Sequence, residues 1–289
     1  MKIKLFYACL MTAGTALALD FTAPIEKLGG DFKFTEGPLW VAAQNQLLFS
    51  DIPANRMVGF KAGSFATFRA PSNNSNGLTL DKQGRLLACE HGTRRVTRTE
   101  ADGTLTVLAE RYENKRLNSP NDVVVRSDGA IYFTDPPYGV KQEERELDFQ
   151  GVYRISPDGK SLTLLARDFI KPNGLAFTPD EKILYVNDTE GGHIRAFDVA
   201  ADGTLSNSRV FAKTPGPDGM KVDSAGNVYC TSGPGVMVFD ATGKHLGTFS
   251  MAEQPANCAF GDADWKSLYM TCRTGLYRVR LALPGIKVP

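Results

Sequence analysis

The stretch KPNGLAFTPDEKILYVNDT, residues 171–189, reads as a β-hairpin with a polar residue fixed at its front. Two strand-forming runs, LAF (175–177) and ILYV (183–186), flank the turn letters TPDEK, and Asn173-Gly174 stands just before the first run. The pattern recurs. EGPLWVAAQNQLLFSD begins at Glu36, NGLTLDKQGRLLACE at Asn76 and NDVVVRSDGAIYFTD at Asn121. DGMKVDSAGNVYCTS begins at Asp218, and ANCAFGDADWKSLYMTC at Ala256 or Asn257. With the copy at Asn173 the six starts lie 40, 45, 52, 45 and about 39 residues apart. A further strand pair follows each hairpin, as in GVYRISPDGKSLTLLA (151–166) and GVMVFDATGKHLGTF (235–249). Four strands per unit at a period near 45 is the spacing of propeller blades. No long amphipathic helical pattern interrupts the series. The sequence therefore predicts an all-β fold, a six-bladed β-propeller formed as one domain by residues 19–289. DFKFT (31–35), or the segment from residue 21, is expected to complete the last blade beside GLYRVRLAL (275–283) and hide an edge.

The start, MKIKLFYACLMTAGTALALD, has Lys2 and Lys4, an apolar run from Leu5, and Ala16-Leu17-Ala18 as an A-x-A cleavage site. Residues 1–18 read as a secretory signal peptide, too short in its apolar run to span a membrane. Cys9 falls too early in that run for lipid attachment. A free exported protein is expected, suited to a bacterial periplasm. Without the leader 31 basic residues face 32 acidic ones, interspersed, which gives no footprint for nucleic acid or an acidic membrane. Four cysteines remain, too spread for a disulfide framework; Cys258 and Cys272 are the only pair close in sequence.

In a propeller the first strand of each blade lines the channel, and the end of the antiparallel second strand returns to the same face. Two polar rings follow. The inner ring is Glu36, Asn76, Asn121, Asn173, Asp218 and Asn257; the second is Asp51, Glu90, Asp135, Asp188, Ser232 and Cys272, with His91 just beyond Glu90. The second ring reads as local capping of the next loop. Inner carboxylates converging on an axis without a basic partner would repel, unless a cation joins them. An all-oxygen set suits Ca²⁺ best, with Mg²⁺ or Mn²⁺ as substitutes. Zn²⁺ is the poorest match, since the three histidines stand far apart and no HExxH or paired CxxC is present. Asn173 would then point an amide oxygen at the axis, with Gly174 allowing a tight turn beside it.

At this point FTEGPLW (34–40), RLNSPNDVVVRSDGAIYFTDPPYG (116–139), PNGLAFTPD (172–180) and GPDGMKVD (216–223) together resemble the family of senescence marker protein-30, gluconolactonase and luciferin-regenerating enzyme. CEHGTRRVTR (89–98) and the SPND and FTDPPYG segments are most similar to its gluconolactonase-like branch. The resemblance implies one divalent metal in the channel and hydrolysis of a small-molecule lactone. It places metal ligands on Glu36, Asn173 and Asp218, with Asn121 either a further ligand or a substrate contact. It puts the acid–base carboxylate on Asp218, leaves open whether the cation alone activates the water, and assigns Arg116 and Asn118 to substrate oxygens. Some relatives use the equivalent of Asp135 for a second metal. His91 at the mouth would bond a substrate hydroxyl or move a proton. Three readings stay in view: a secreted sugar lactonase, a related hydrolase of organophosphates or lipophilic lactones lined by Tyr138 and Trp40, and a non-catalytic calcium-binding propeller. The insertion VKQEERELDFQ (140–150) reads as a solvated excursion or a lid.

Overall fold

The computed structural model describes residues 19–288; the leader expected over residues 1–18 lies outside the described residues. Six four-stranded antiparallel sheets form the blades of a propeller. Their inner strands are Thr35–Val41, Ser75–Leu80, Val123–Val125, Pro172–Phe177, Met220–Val222 and Pro255–Gly261. The outer strands, such as Ser64–Arg69 and Leu205–Lys213, are largely exposed. Blade 6 takes its fourth strand from the other end of the chain: Glu26–Gly29 pairs with Leu276–Arg280, Glu26 opposite Arg278. The segment from residue 21, not DFKFT, therefore closes the ring, while Phe32 of DFKFT packs into the core.

The second strands carry the wedges between blades. Tyr132, Tyr185, Tyr229 and Tyr269 recur three residues before the strand's last ring position, and all are buried. A buried tyrosine needs a partner for its hydroxyl. Tyr132 donates to Gly203 O (3.2 Å) and Tyr269 to Asp262 Oδ1 (2.7 Å).

The inner strands do not run as regular ladders. Their pairing register shifts between Glu36 and Leu39, Ser75 and Leu78, Pro172 and Leu175, and Pro255 and Asn257. A bulge turns a side chain out of the pleat, and here each one sits at the inner-ring residue. Gly174 serves a purpose other than the tight turn expected of it. That residue carries no left-handed φ; a Cβ on it would stand 2.3 Å from Asp218 O and 2.9 Å from Met220 N. Gly174 N donates to Asp218 O (3.1 Å), Gly77 N to Asn121 O (2.8 Å) and Gly219 N to Ala256 O (2.8 Å). Adjacent blades touch backbone to backbone there, and only hydrogen fits. Second-strand polar residues complete the clasp: Ser50 Oγ donates to Asn76 O (2.8 Å), Thr134 Oγ1 to Asn173 O (2.7 Å), and Thr231 Oγ1 to Ala256 O (2.7 Å).

The acidic members of the second ring cap the loop that follows, as expected, and also the loop entering their own blade: Asp188 Oδ1 accepts from Gly191 N (2.9 Å). Asp51 accepts from Lys33 N (3.0 Å), Phe34 N (3.2 Å) and Arg56 (3.0 Å). Asp188 does the same for Ile170 N (2.7 Å) and Lys171 N (2.9 Å). All four cysteines among the described residues are free and buried, so no bond joins Cys258 to Cys272. Residues 140–150 are docked: Leu147 packs into a core cluster, and Arg94 Nη1 donates to Glu144 O (3.1 Å). No helix of the described residues is long and apolar enough to cross a membrane.

Candidate active site

Bulges at Glu36 and Asn173, and the segment just before the inner strand of blade 5 at Asp218, bring these three residues from blades 1, 4 and 5 to one end of the channel. Glu36 is buried, its Oε2 accepting from Gly37 N (2.8 Å) and Asn257 Nδ2 (3.0 Å). Burial pushes its carboxyl up to about 7, and Asp122 adds to the effect against the two hydrogen bonds. Asp218 is held well above the carboxylate range by burial and then by Glu36. Asn173 Nδ2 donates to Tyr138 Oη (3.3 Å) and Thr189 Oγ1 (3.1 Å), while its buried Oδ1 has no partner. Two crowded carboxyls beside an unpartnered amide oxygen are what a hard cation would satisfy, so these residues fit a divalent ion. Among the described residues no three His, Cys, Asp or Glu side chains gather as a metal site, so an ion here depends on the amide oxygen.

The raised Glu36 carboxyl has a measurable sign. Folded Glu36 keeps its proton up to about 7, the unfolded chain only to the ordinary 4.5. Between those values the folded state binds more protons, so stability falls as pH rises. Thermal melts in chelator should show wild type losing on the order of 3 kcal/mol across this window relative to Glu36→Gln. His91 acts in the opposite sense but is common to both proteins. Parallel slopes would mean that Glu36 is not the buried charge.

Asn121 sits at the same mouth, buried, its backbone carbonyl accepting from Gly77 N. The residue after it was missed by sequence reasoning. Asp122 is a further buried acidic residue, its Oδ2 3.4 Å from Asn257 Nδ2. The available signal was a break in the repeat: glycine follows the ring residue at 37, 77, 174 and 219, but aspartate follows Asn121, as cysteine follows Asn257.

Asn118 is fully buried, with its amide nitrogen spent on Asp135 O (3.1 Å) and Phe149 O (3.0 Å); only Oδ1 lacks a partner. Asp135 accepts from Asn118 N (2.7 Å) and Ser119 N (2.8 Å), one bond to each oxygen, so its carboxylate is committed to the entering loop. Burial raises it to about 7. Arg116, on a two-stranded hairpin of Arg111–Tyr112 and Lys115–Arg116, reaches Thr93 O (3.2 Å) and so lies against the His91 loop. His91 itself is buried and held down to about 4 by desolvation, hence neutral at pH 7. Its Nε2 lies 3.3 Å from Asn76 Nδ2.

Trp40 is not at the mouth. Four residues along the strand from Glu36, it lies roughly 13 Å toward the opposite face, stacked on Tyr269 with centroids 5.8 Å apart. There an apolar cavity of about 140 Å³, lined by Leu39, Trp40, Val123 and Trp265, is covered by the C-terminal segment, where Ile286 N donates to Val222 O (3.1 Å). It is remote from the carboxylates. Tyr138 does stand at the mouth, 44% exposed, with Lys171 Nζ 5.1 Å from its ring centroid.

Residues 34–274 match the family described as SMP-30/Gluconolactonase/LRE-like region, and the chain belongs to it. It is 34% identical to the gluconolactonase of Zymomonas mobilis subsp. mobilis, over 91% of this chain and 82% of that protein. It is 32% identical to the pentonolactonase XacC of Haloferax volcanii, over 83% of this chain and 81% of that one. The solved structure of XC5397, a gluconolactonase of Xanthomonas campestris, superposes with a TM-score of 0.84 at 41% identity, covering 90% of this chain and 89% of that one.

Proposed function

We infer that this chain is a metal-dependent lactonase that opens small sugar lactones. The observation that carries the reading is the meeting of the Glu36 and Asp218 carboxyls with the unpartnered Asn173 Oδ1 at one mouth. Glu36, Asn173 and Asp218 would hold a divalent cation, Ca²⁺ by preference, with Asn121 beside them. When bound, the cation supplies positive charge against the lactone carbonyl oxygen. The rest belongs to the chain. Asp218 takes the proton of the attacking water and returns it to the ring oxygen as the C–O bond breaks, yielding the hydroxy acid. Its burial beside Glu36 favours proton uptake. Arg116 and the neighbouring loop face the sugar hydroxyls and orient the ring.

The reading has the chain exported and residues 1–18 removed. Buried thiols suit that setting: burial raises Cys258 to about 12 and also lifts Cys89, Cys230 and Cys272, which keeps them poorly reactive toward oxidants.

The test is hydrolysis of glucono-1,5-lactone by chelator-stripped protein, with Ca²⁺, Mg²⁺, Mn²⁺ and Zn²⁺ restored separately and acid release followed by a pH indicator. Turnover should appear only with an ion. No turnover with any ion would sink the reading. A second arm uses dihydrocoumarin. The exposed Tyr138, whose ring Lys171 Nζ overlies, and Ile170 (57% exposed), the residue before Lys171, favour an apolar lactone as the other substrate class.

A further inference from the structure

We propose that Thr189 and His91 are matched positioning residues that turn the amide oxygens of Asn173 and Asn76 toward the channel axis. For Asn173 this rests on the cation reading above. An asparagine side chain fits its socket either way round, yet the two ends have opposite meaning: the oxygen attracts a cation and the NH₂ repels it. Something must decide.

At Thr189 the decision can be traced atom by atom. Its hydroxyl has one hydrogen, donated to Pro217 O at 2.8 Å. A carbonyl can only accept, so toward Asn173 the Thr189 oxygen is left as an acceptor. The group 3.1 Å away must then be the Asn173 NH₂. Tyr138 Oη takes the second amide hydrogen at 3.3 Å. Both N–H directions are spent, and Oδ1 stays buried without a partner. The relay crosses three blades, from Tyr138 through Asn173 and Thr189 to Pro217, the residue before Asp218.

Blade 2 repeats the arrangement with different chemistry. His91 follows Glu90 as Thr189 follows Asp188, one place beyond the second ring. The equivalent residues elsewhere are Ile52, Pro136, Gly233 and Arg273, none of them a neutral side-chain acceptor. A neutral imidazole with its hydrogen on Nδ1 accepts through Nε2, and burial keeps His91 neutral. Nε2 faces Asn76 Nδ2 at 3.3 Å, and Asn76 Oδ1, like Asn173 Oδ1, is buried with no partner. Two ring amides thus share one geometry, each with its nitrogen held from behind and its oxygen left unpaired. Buried unpaired acceptors are rare enough that two in equivalent places point to a purpose.

The test is Ca²⁺ titration calorimetry on Thr189→Val and Thr189→Ser, with melting temperature in chelator as the fold control. Valine keeps the shape and removes the acceptor, and affinity should fall at least about 10-fold; serine restores it to within about 2-fold. Wild-type affinity in Thr189→Val would overturn the proposal. If Val unfolds the blade, Tyr138→Phe, at an exposed ring, should still weaken Ca²⁺ binding. A metal-free readout stands apart from the cation reading. In chelator, the side-chain amide NMR signals of Asn173 and Asn76 should exchange slowly in wild type. Thr189→Val should release the first pair and His91→Phe the second. Unchanged protection in both variants would refute the orientation itself; absence of Ca²⁺ binding by wild type, with the protection pattern intact, would refute only the cation reading.

Discussion

Asp218→Asn is expected to lower lactone turnover by at least about 10³-fold, the range for a lost general base that also helps hold charge. The fold should survive. Asparagine is isosteric, the Asp218 backbone bonds to Thr231 and Gly174 do not involve the side chain, and the crowding with Glu36 disappears. In chelator the variant should melt no lower than wild type. Saturating Ca²⁺ separates the two duties of the carboxylate. If high ion concentration restores turnover, Asp218 acts as a ligand alone. A variant that stays inactive when loaded assigns the proton transfer to it. Turnover within tenfold of wild type at low Ca²⁺ would remove Asp218 from the reaction.

Gly174→Ala should do comparable damage by another route. The added methyl would lie 2.3 Å from Asp218 O, 2.9 Å from Met220 N and 3.0 Å from Asn187 Nδ2. Two of these are backbone atoms of the next blade, held in its sheet, so relief requires blades 4 and 5 to separate. Overpacking against a rigid surface costs about 3 kcal/mol, with the Gly174–Asp218 hydrogen bond lost as well. The melting temperature should drop by roughly 6–9 °C. Because Asn173 and Asp218 sit on the two edges being parted, Ca²⁺ affinity should fall along with stability. Gly233→Ala is the control: a Cβ there meets nothing within 4 Å, and the melting temperature should not move. Equal melting of all three proteins would show that the blades do not touch at Gly174.

The blade count and the ring were legible because both are periodic. A strand–turn–strand unit repeated near 45 residues has one economical closure, and a polar residue at the same place in each copy must converge on the axis. The glycine beside it was legible as a requirement but not for its reason, since close approach to another blade is a tertiary fact. Asp122 was hidden in plain view, passed over as the residue after a ring position although it stands where four other copies carry glycine. Thr189 and His91 stand in equivalent positions, but a threonine and a histidine do not look alike in a sequence. Only the shared partner, the NH₂ of a ring asparagine, makes them the same. Trp40 was misplaced because strand direction was ignored: four residues along an extended chain cross most of the disc. Asn118 was assigned by its neighbours in the motif, and the structure shows its nitrogen bound to the loop it helps fold.

The hydrogen bond from Asn257 to Glu36 joins residues 221 positions apart, and the outermost strand of the last blade is, in chain order, the first strand of the propeller. A growing chain on the ribosome can form blades in order, yet it holds residues 26–29 without a partner until residues 276–280 have emerged. Glu36 likewise waits for Asn257. Such distant pairing makes for slow, late assembly. The nascent protein should therefore pass through no truncated form able to open a lactone: catalytic competence arrives in a single event, when the first and last strands of the propeller meet.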